Sequence, residues 1–296
     1  MQRHGRSRVE SSCVISTEGK NLIYHQRKYI ISMTKFAEKA GSIFKGGIIG
    51  REIIFFESVP STNDKAFEIG QQKENPEGIV VIADSQTCGK GRLGRRWISP
   101  PGVNLYFTVL LKPPFPLKES FILALAAAVA ATTAIRKYTG LDARIKWPND
   151  ILINNRKSCG ILTEMKSGKD RINLMAVGIG VNVNMLPDAF TDDIKPFTTS
   201  LKIESGLSFE RDKLLREILA ELEKAYKNLL TGNKRALIND WLRLNCTIGN
   251  EISVQSRTGI ISGIAAGIND NGELLVRPSS GEIERVSAGD VTILKN

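Results

Sequence analysis

The chain has 296 residues, 42% hydrophobic and 24% charged, enough for one large domain or two smaller ones around a sizeable core. Its net charge is +10, but residues 1–50 hold nine Lys/Arg against three Glu, or +6, leaving only +4 on the rest. That near-balance excludes a generic polyanion binder as the role of the main body.

Both histidines, His4 and His25, fall in the first 50 residues, so residues 51–296 exclude a Ser-His-Asp or Cys-His site and a His-ligated zinc centre. Cys13, Cys88, Cys159 and Cys246 lie far apart with no C-x-x-C pair and read as reduced thiols of a cytoplasmic protein. No apolar h-region follows the basic N-terminus, so no signal peptide is expected. The run over 121–135 is too short and too rich in Ala and Thr to span a bilayer, and is expected to be a buried helix with no membrane role.

Residues 1–26 show no periodicity and are expected to be disordered. Residues 29–44 carry an amphipathic helix pattern, with Met33 as an alternative start. One helix does not make a helix-turn-helix, so 1–46 is expected to be a basic extension that does not bind nucleic acid. From there the pattern changes. A strand over 52–57 is followed by Ser61-Thr62-Asn63, which reads as the N-cap of a helix reaching Gln72. A strand over 78–83 leads through Ser85-Gln86 into Gly89-Lys90-Gly91-Arg92-Leu93-Gly94-Arg95-Arg96-Trp97.

In that nonapeptide the glycines allow close backbone approach, the cations suit a polyphosphate, and the indole offers a stacking face. Its spacing is neither a P-loop nor a dinucleotide fingerprint. Alone it reads as an anion-binding loop or as a mobile basic surface loop. With few apolar side chains to offset the entropy of ordering it, the loop is expected to be loose without ligand.

Further on come a buried strand over 104–111, a long Ala-rich helix over 119–138 ended by Gly140, and a strand over 144–147 stopped by Pro148. Asn154-Asn155 turns a hairpin that places Lys157 beside 147–150. A strand over 172–179, a turn at Glu204-Ser205-Gly206, and two helices follow, the first with a Leu214–Leu229 stripe and the second carrying Trp241. Five short strands after Asn245 suggest a small barrel.

Five motifs occur in order: Ser61-Thr62-Asn63, the Gly89–Trp97 loop, Lys146-Trp147-Pro148-Asn149-Asp150, Arg156-Lys157-Ser158-Cys159-Gly160, and Gly178-Ile179-Gly180-Val181-Asn182. Over residues 47 to 296 this series resembles the biotin protein ligases. The resemblance implies an α+β fold: a mixed β-sheet with packed helices over 47–245, then a small SH3-like β-barrel over 246–296.

It also implies the activity, biotin–[biotin carboxyl-carrier protein] ligase: biotinyl-5'-AMP from biotin and ATP, then transfer to a lysine of a carrier protein or domain. Lys157, Arg92, Asp150 and Lys146 would be catalytic. Ser61, Thr62, Asn63, Gln86, Gly89, Lys90, Gly91, Arg92, Lys157 and Gly160 would bind biotin; Arg92, Arg95, Trp97, Asn149, Lys157 and Asn182 would bind ATP or the adenylate. Lys90 departs from the usual arginine, which would loosen loop closure. Magnesium would accompany ATP without a protein metal site. A homodimer and a monomer are both left open. The alternatives are a lipoate–protein ligase of the same fold, for which the polar 61–63 and Gln86 groups are less suited, and a biotin-responsive DNA-binding regulator.

Overall fold

The computed structural model describes residues 47–256 and 259–294. The expectations for 1–46, including the helix over 29–44 and the start at Met33, lie outside the described residues.

Strands β1 (Glu52–Val59) and β2 (Ile79–Gln86) pair in parallel, and helix α1 (Thr62–Gln72) makes the crossover that parallel strands require. β3 (Leu105–Leu111), β4 (Arg144–Lys146), β5 (Asp150–Ile153), β6 (Arg156–Ser167) and β7 (Ile172–Val181) complete a seven-stranded sheet, antiparallel beyond β2, in the order β1-β2-β3-β7-β6-β5-β4.

Both faces are covered, as the continuous apolar runs of β2 and β3 require. On one side Val80, Ile82, Phe107, Val109, Val177 and Ile179 join the main core. There lies α2 (Ile122–Thr139), apolar nearly all round, ended by Gly140 at φ 75°. The segment over 117–139 is long and apolar enough to cross a membrane, but it is mostly buried inside the molecule. After the short helix α3 (Leu201–Ser205), α4 (Arg211–Leu230) and α5 (Lys234–Leu244) pack on α2, α4 through its Leu214–Leu229 stripe and α5 through Leu237 and Trp241.

On the other side α1 covers only a small cluster of Ala66, Ile79, Val81, Leu110, Leu174 and Ala176. Past that cluster the same alternation brings Gly178 and Gly180 of β7 to the surface of the sheet, and a cleft opens.

Strands β8 (Glu251–Ser256), β9 (Gly259–Ile268), β10 (Leu274–Arg277), β11 (Glu284–Val286) and β12 (Asp290–Ile293) form the antiparallel unit β11-β10-β9-β8-β12. Among the described residues no ladder joins β11 to β12, so the unit is hydrogen-bonded as an open sheet rather than a closed barrel. It docks through Trp147, whose amide donates to Thr247 Oγ1 at 2.9 Å and whose Nε1 donates to Gly272 O at 3.0 Å. Gly272 has φ 81° with Leu125 and Phe121 where a Cβ would stand, so the contact requires glycine. The expected α+β fold is therefore the observed one.

Two local expectations are corrected. Glu204 and Ser205, expected in a turn with Gly206, instead end the helix over Leu201–Ser205, because Ser200 Oγ caps Ile203 N at 3.1 Å and Gly206 closes the end at φ 74°. The residue capping α1 is Ser61 by position, but its side chain makes no cap hydrogen bond. Gln86 does that work from β2, its Oε1 accepting from Thr62 N at 2.8 Å.

Candidate active site

The floor of the cleft is one row across five strands. Tyr106 lies opposite Gly180, Gly180 opposite Gly160, Gly160 opposite Asp150, and Asp150 opposite Lys146. Residues directly opposite in antiparallel ladders share a face, so Lys146 and Asp150 stand beside a two-glycine floor. Lys157 joins them through an irregularity. The register slips between Ile151 and Leu152, so Lys157 lies opposite Leu152 instead of Ile153. An unbroken ladder would have sent Lys157 to the other face; the bulge returns it to the side of Asp150. Ser158 at the bulge is buried and donates to Ile151 O at 3.2 Å.

A cleft of about 390 Å³ covers this row, within the range of small-molecule sites. Every expected site residue lines it except Gly89. A Cβ at Gly89 would stand 2.4 Å from Trp97 O and 2.7 Å from Ser99 Oγ, so that glycine serves the loop's own folding.

The polar end lies at the N-terminus of α1. Thr62 and Asn63 are buried, and Gln86 holds Thr62 while its Nε2 donates to Ser99 Oγ at 3.0 Å. Asn63 Oδ1 accepts from Thr108 Oγ1 at 2.6 Å, and its Nδ2 donates to Glu164 Oε2 at 2.8 Å. These contacts fix which way each amide points before any ligand arrives.

The basic loop has more internal structure than its composition suggests. Gly91 N donates to Arg95 O at 2.7 Å and Trp97 N to Gly89 O at 2.8 Å, while Leu93 and Gly94 take φ of 55° and 76°. Lys90 pairs with Asp64 at 2.5 Å, so a lysine here is tethered to α1. Arg92 donates to Asn149 Oδ1 at 3.1 Å and to Gly289 O at 3.2 Å; Arg95 pairs with Asp290. Contacts from the C-terminal sheet and the cleft wall thus hold the loop in this arrangement.

Trp97 lies on the glycine floor. A Cβ at Gly180 would stand 2.7 Å from its Nε1, and one at Gly160 would stand 3.0 Å from its Cζ3. Lys157 Nζ sits 5.4 Å from the ring centroid, a cation–π contact. The indole Nε1 is buried and has no hydrogen-bond partner among the described residues.

The cations are packed closely. Lys157 Nζ is 2.5 Å from Asp150 Oδ1, an ionic contact without the alignment of a hydrogen bond. Burial pushes the pKa of Arg92 down, opposed by Asp150 and aided by Arg95. Burial likewise lowers Lys146, with Asp150 opposing and Lys157 adding repulsion. A dianionic or polyanionic ligand would relieve both effects. Asn182 is less available than expected, since its Nδ2 donates to Thr199 O at 3.0 Å.

Sequence reading missed an apolar wall of Ile98, Phe190, Ile194 and Phe197, as well as Asp290. The 190, 194, 197 spacing was a visible signal inside a polar stretch. Asp290 had none, because its arginine partners are distant in sequence.

Comparison with known proteins agrees with this geometry. The profile of the Biotin/lipoate A/B protein ligase family matches residues 55–184, and that of the biotin protein ligase C-terminal domain matches 247–294. The bifunctional ligase/repressor BirA of Bacillus subtilis is 36% identical over 249 residues, covering 84% of this chain and 76% of that protein. The biotin–[acetyl-CoA-carboxylase] ligase of Paracoccus denitrificans is 34% identical, covering 75% of this chain and 92% of its own. The Aquifex aeolicus biotin protein ligase, solved in complex with biotin and ATP, superposes with a TM-score of 0.71 at 26% identity, covering 83% of this chain and 100% of that one. The fold and cleft, with these likenesses, define a ligase. The chain belongs to the Biotin/lipoate A/B protein ligase family, and its C-terminal sheet is the C-terminal domain of the biotin protein ligases.

Proposed function

We propose that this enzyme joins biotin to a lysine of a biotin carboxyl carrier protein or domain by way of biotinyl-5'-AMP, in the cytoplasm. The observation that carries the reading is the convergence of Lys157, Lys146 and Arg92 on a glycine-floored cleft closed at one end by buried polar groups.

Biotin's ureido ring would meet the polar end at Thr62, Asn63 and Gln86, leaving its carboxylate near Lys157. A carboxylate oxygen attacks the α-phosphorus of ATP, forming the mixed anhydride as pyrophosphate leaves. The acceptor amine then attacks the acyl carbon and AMP departs. Both steps concentrate negative charge on oxygens around phosphorus, so placed cations do the catalytic work. Lys157 and Arg92 fill that role, supported by Lys146 and Arg95. Asp150, already beside an ammonium, would orient the acceptor amine or accept its proton. Magnesium would enter on the phosphate oxygens as part of the substrate.

Purified protein with biotin, MgATP and a carrier domain should yield a product heavier by one biotinyl group. No mass increase on the acceptor lysine would reject the reading.

A further inference from the structure

The hairpin that carries Asp150 and Lys157 is held from outside the cleft by one buried carboxylate. Glu204, on the five-residue helix α3, has a side chain only 3% exposed. It accepts from three side chains: Asn154 Nδ2 at 2.7 Å, Arg156 Nη2 at 2.7 Å and Thr199 Oγ1 at 2.5 Å. The donors come from two separate segments. Asn154 begins the left-handed turn at the hairpin tip, and Arg156 directly precedes Lys157. Thr199 belongs to the segment running up to α3, and its amide donates to Lys157 O at 2.9 Å. The neighbouring Thr198 and Phe197 line the cleft, whereas Glu204 does not.

A buried carboxylate is expensive unless its lone pairs are matched, and here they are matched by groups flanking Lys157 on both sides. Nothing about covering a surface turn requires a charge at this point. The local demand is geometric. The bulge at Ser158 sets the face on which Lys157 emerges, but a bulged strand bends, and its tip needs a second support.

We propose that Glu204 is a positioning residue for Lys157. It clamps the hairpin tip and the Phe197–Thr199 wall into one unit, and so fixes where the Nζ stands above the glycine floor. The inference rests on the reading of Lys157 as the cation that stabilises the charge developed in adenylation.

The test uses the full chain, with Glu204→Gln and Thr199→Val. Glu204→Gln keeps the shape and loses the charge; Thr199→Val removes one donor and leaves the carboxylate paired with Arg156. Biotin-dependent ATP–pyrophosphate exchange gives kcat and the KM for biotin, and amide hydrogen exchange follows Thr199. We expect kcat about 10- to 100-fold lower for Glu204→Gln, with a smaller fall for Thr199→Val. The KM for biotin should stay within about twofold, because the biotin end of the cleft is untouched. The backbone amide at position 199 should exchange at least about tenfold faster in both variants, since its hydrogen bond to Lys157 is the coupled one.

Unchanged kcat in both variants would overturn the proposal. So would a joint loss of kcat, KM and thermal stability in Thr199→Val, which marks general loosening. If Glu204→Gln fails to fold, Thr199→Val alone decides. A wild-type protein inactive with biotin would instead reject the functional reading, while the Thr199 exchange rate would still report on the clamp.

Discussion

Lys157 Nζ stands 2.5 Å from Asp150 Oδ1, although an unbroken β5–β6 ladder would have put the two side chains on opposite faces of the sheet. One bulged residue makes the pair. The chemistry of the cleft therefore depends on register as much as on residue type.

Lys157→Met should lower kcat for adenylate formation by about 100-fold or more, the usual scale for losing one placed charge donor, with little change in melting temperature. Asp150→Asn should slow transfer to the acceptor more than it slows pyrophosphate exchange. Rapid-quench measurement of the two half-reactions separates them. Equal losses in both steps for Asp150→Asn would remove its assigned part in handling the acceptor amine.

Trp97 makes the glycine floor testable. A methyl at Gly180 would come within 2.7 Å of the indole nitrogen, so Gly180→Ala should expel the ring and destabilise the fold by about 1–3 kcal/mol. Gly267→Ala is the control, since among the described residues nothing lies within 4 Å of its added carbon. Chemical denaturation and indole fluorescence read both effects, and equal stability of the two variants would contradict the packing described.

Arg92 and Arg95 are both held by the C-terminal sheet, through Gly289 O and Asp290. Arg92→Gly should slow adenylate formation and also release the adenylate into solution. Asp290→Asn should do the same more weakly, because it loosens the loop without removing the cation. Labelling of bystander proteins in a mixed lysate, at matched adenylate production, should rise in both. Wild-type selectivity in Arg92→Gly would mean that the loop does not guard the intermediate.

Lys146 gives a pH-dependent prediction. Its folded pKa lies below the ordinary lysine value of 10.5, chiefly through burial. The folded state thus holds its proton less tightly than the unfolded chain, and stability rises with pH between the depressed value and the unfolded one. Lys146→Met removes the buried ammonium. Its stability relative to wild type should be most favourable at neutral pH and should decline toward pH 10.5. Urea titrations across that range measure it, and a flat or opposite trend would contradict the assigned burial.

Much of this was legible in the chain because it is local. The continuous apolar runs of β2 and β3, the Leu214–Leu229 stripe and the Asn154-Asn155 turn each announce their element within a few residues. The motif series also brought almost every polar cleft residue into view. The rest depends on partners far apart in sequence. Nothing near Gln86 says that it will cap a helix starting at Thr62, and nothing near Asp290 says that it will meet Arg95. The bulge at Ser158 is invisible for another reason: Arg156-Lys157-Ser158-Cys159 fits a regular strand equally well, and only the pairing with Ile151 displaces it.

The central claim is that this cleft adenylates biotin. The direct measurement is ATP–pyrophosphate exchange by the purified protein with biotin and with lipoate in parallel. The polar wall at Thr62, Asn63 and Gln86 suits a ureido ring better than a dithiolane, so exchange should depend on biotin and stay at background with lipoate. Exchange with lipoate alone, or none with either acid, would contradict it.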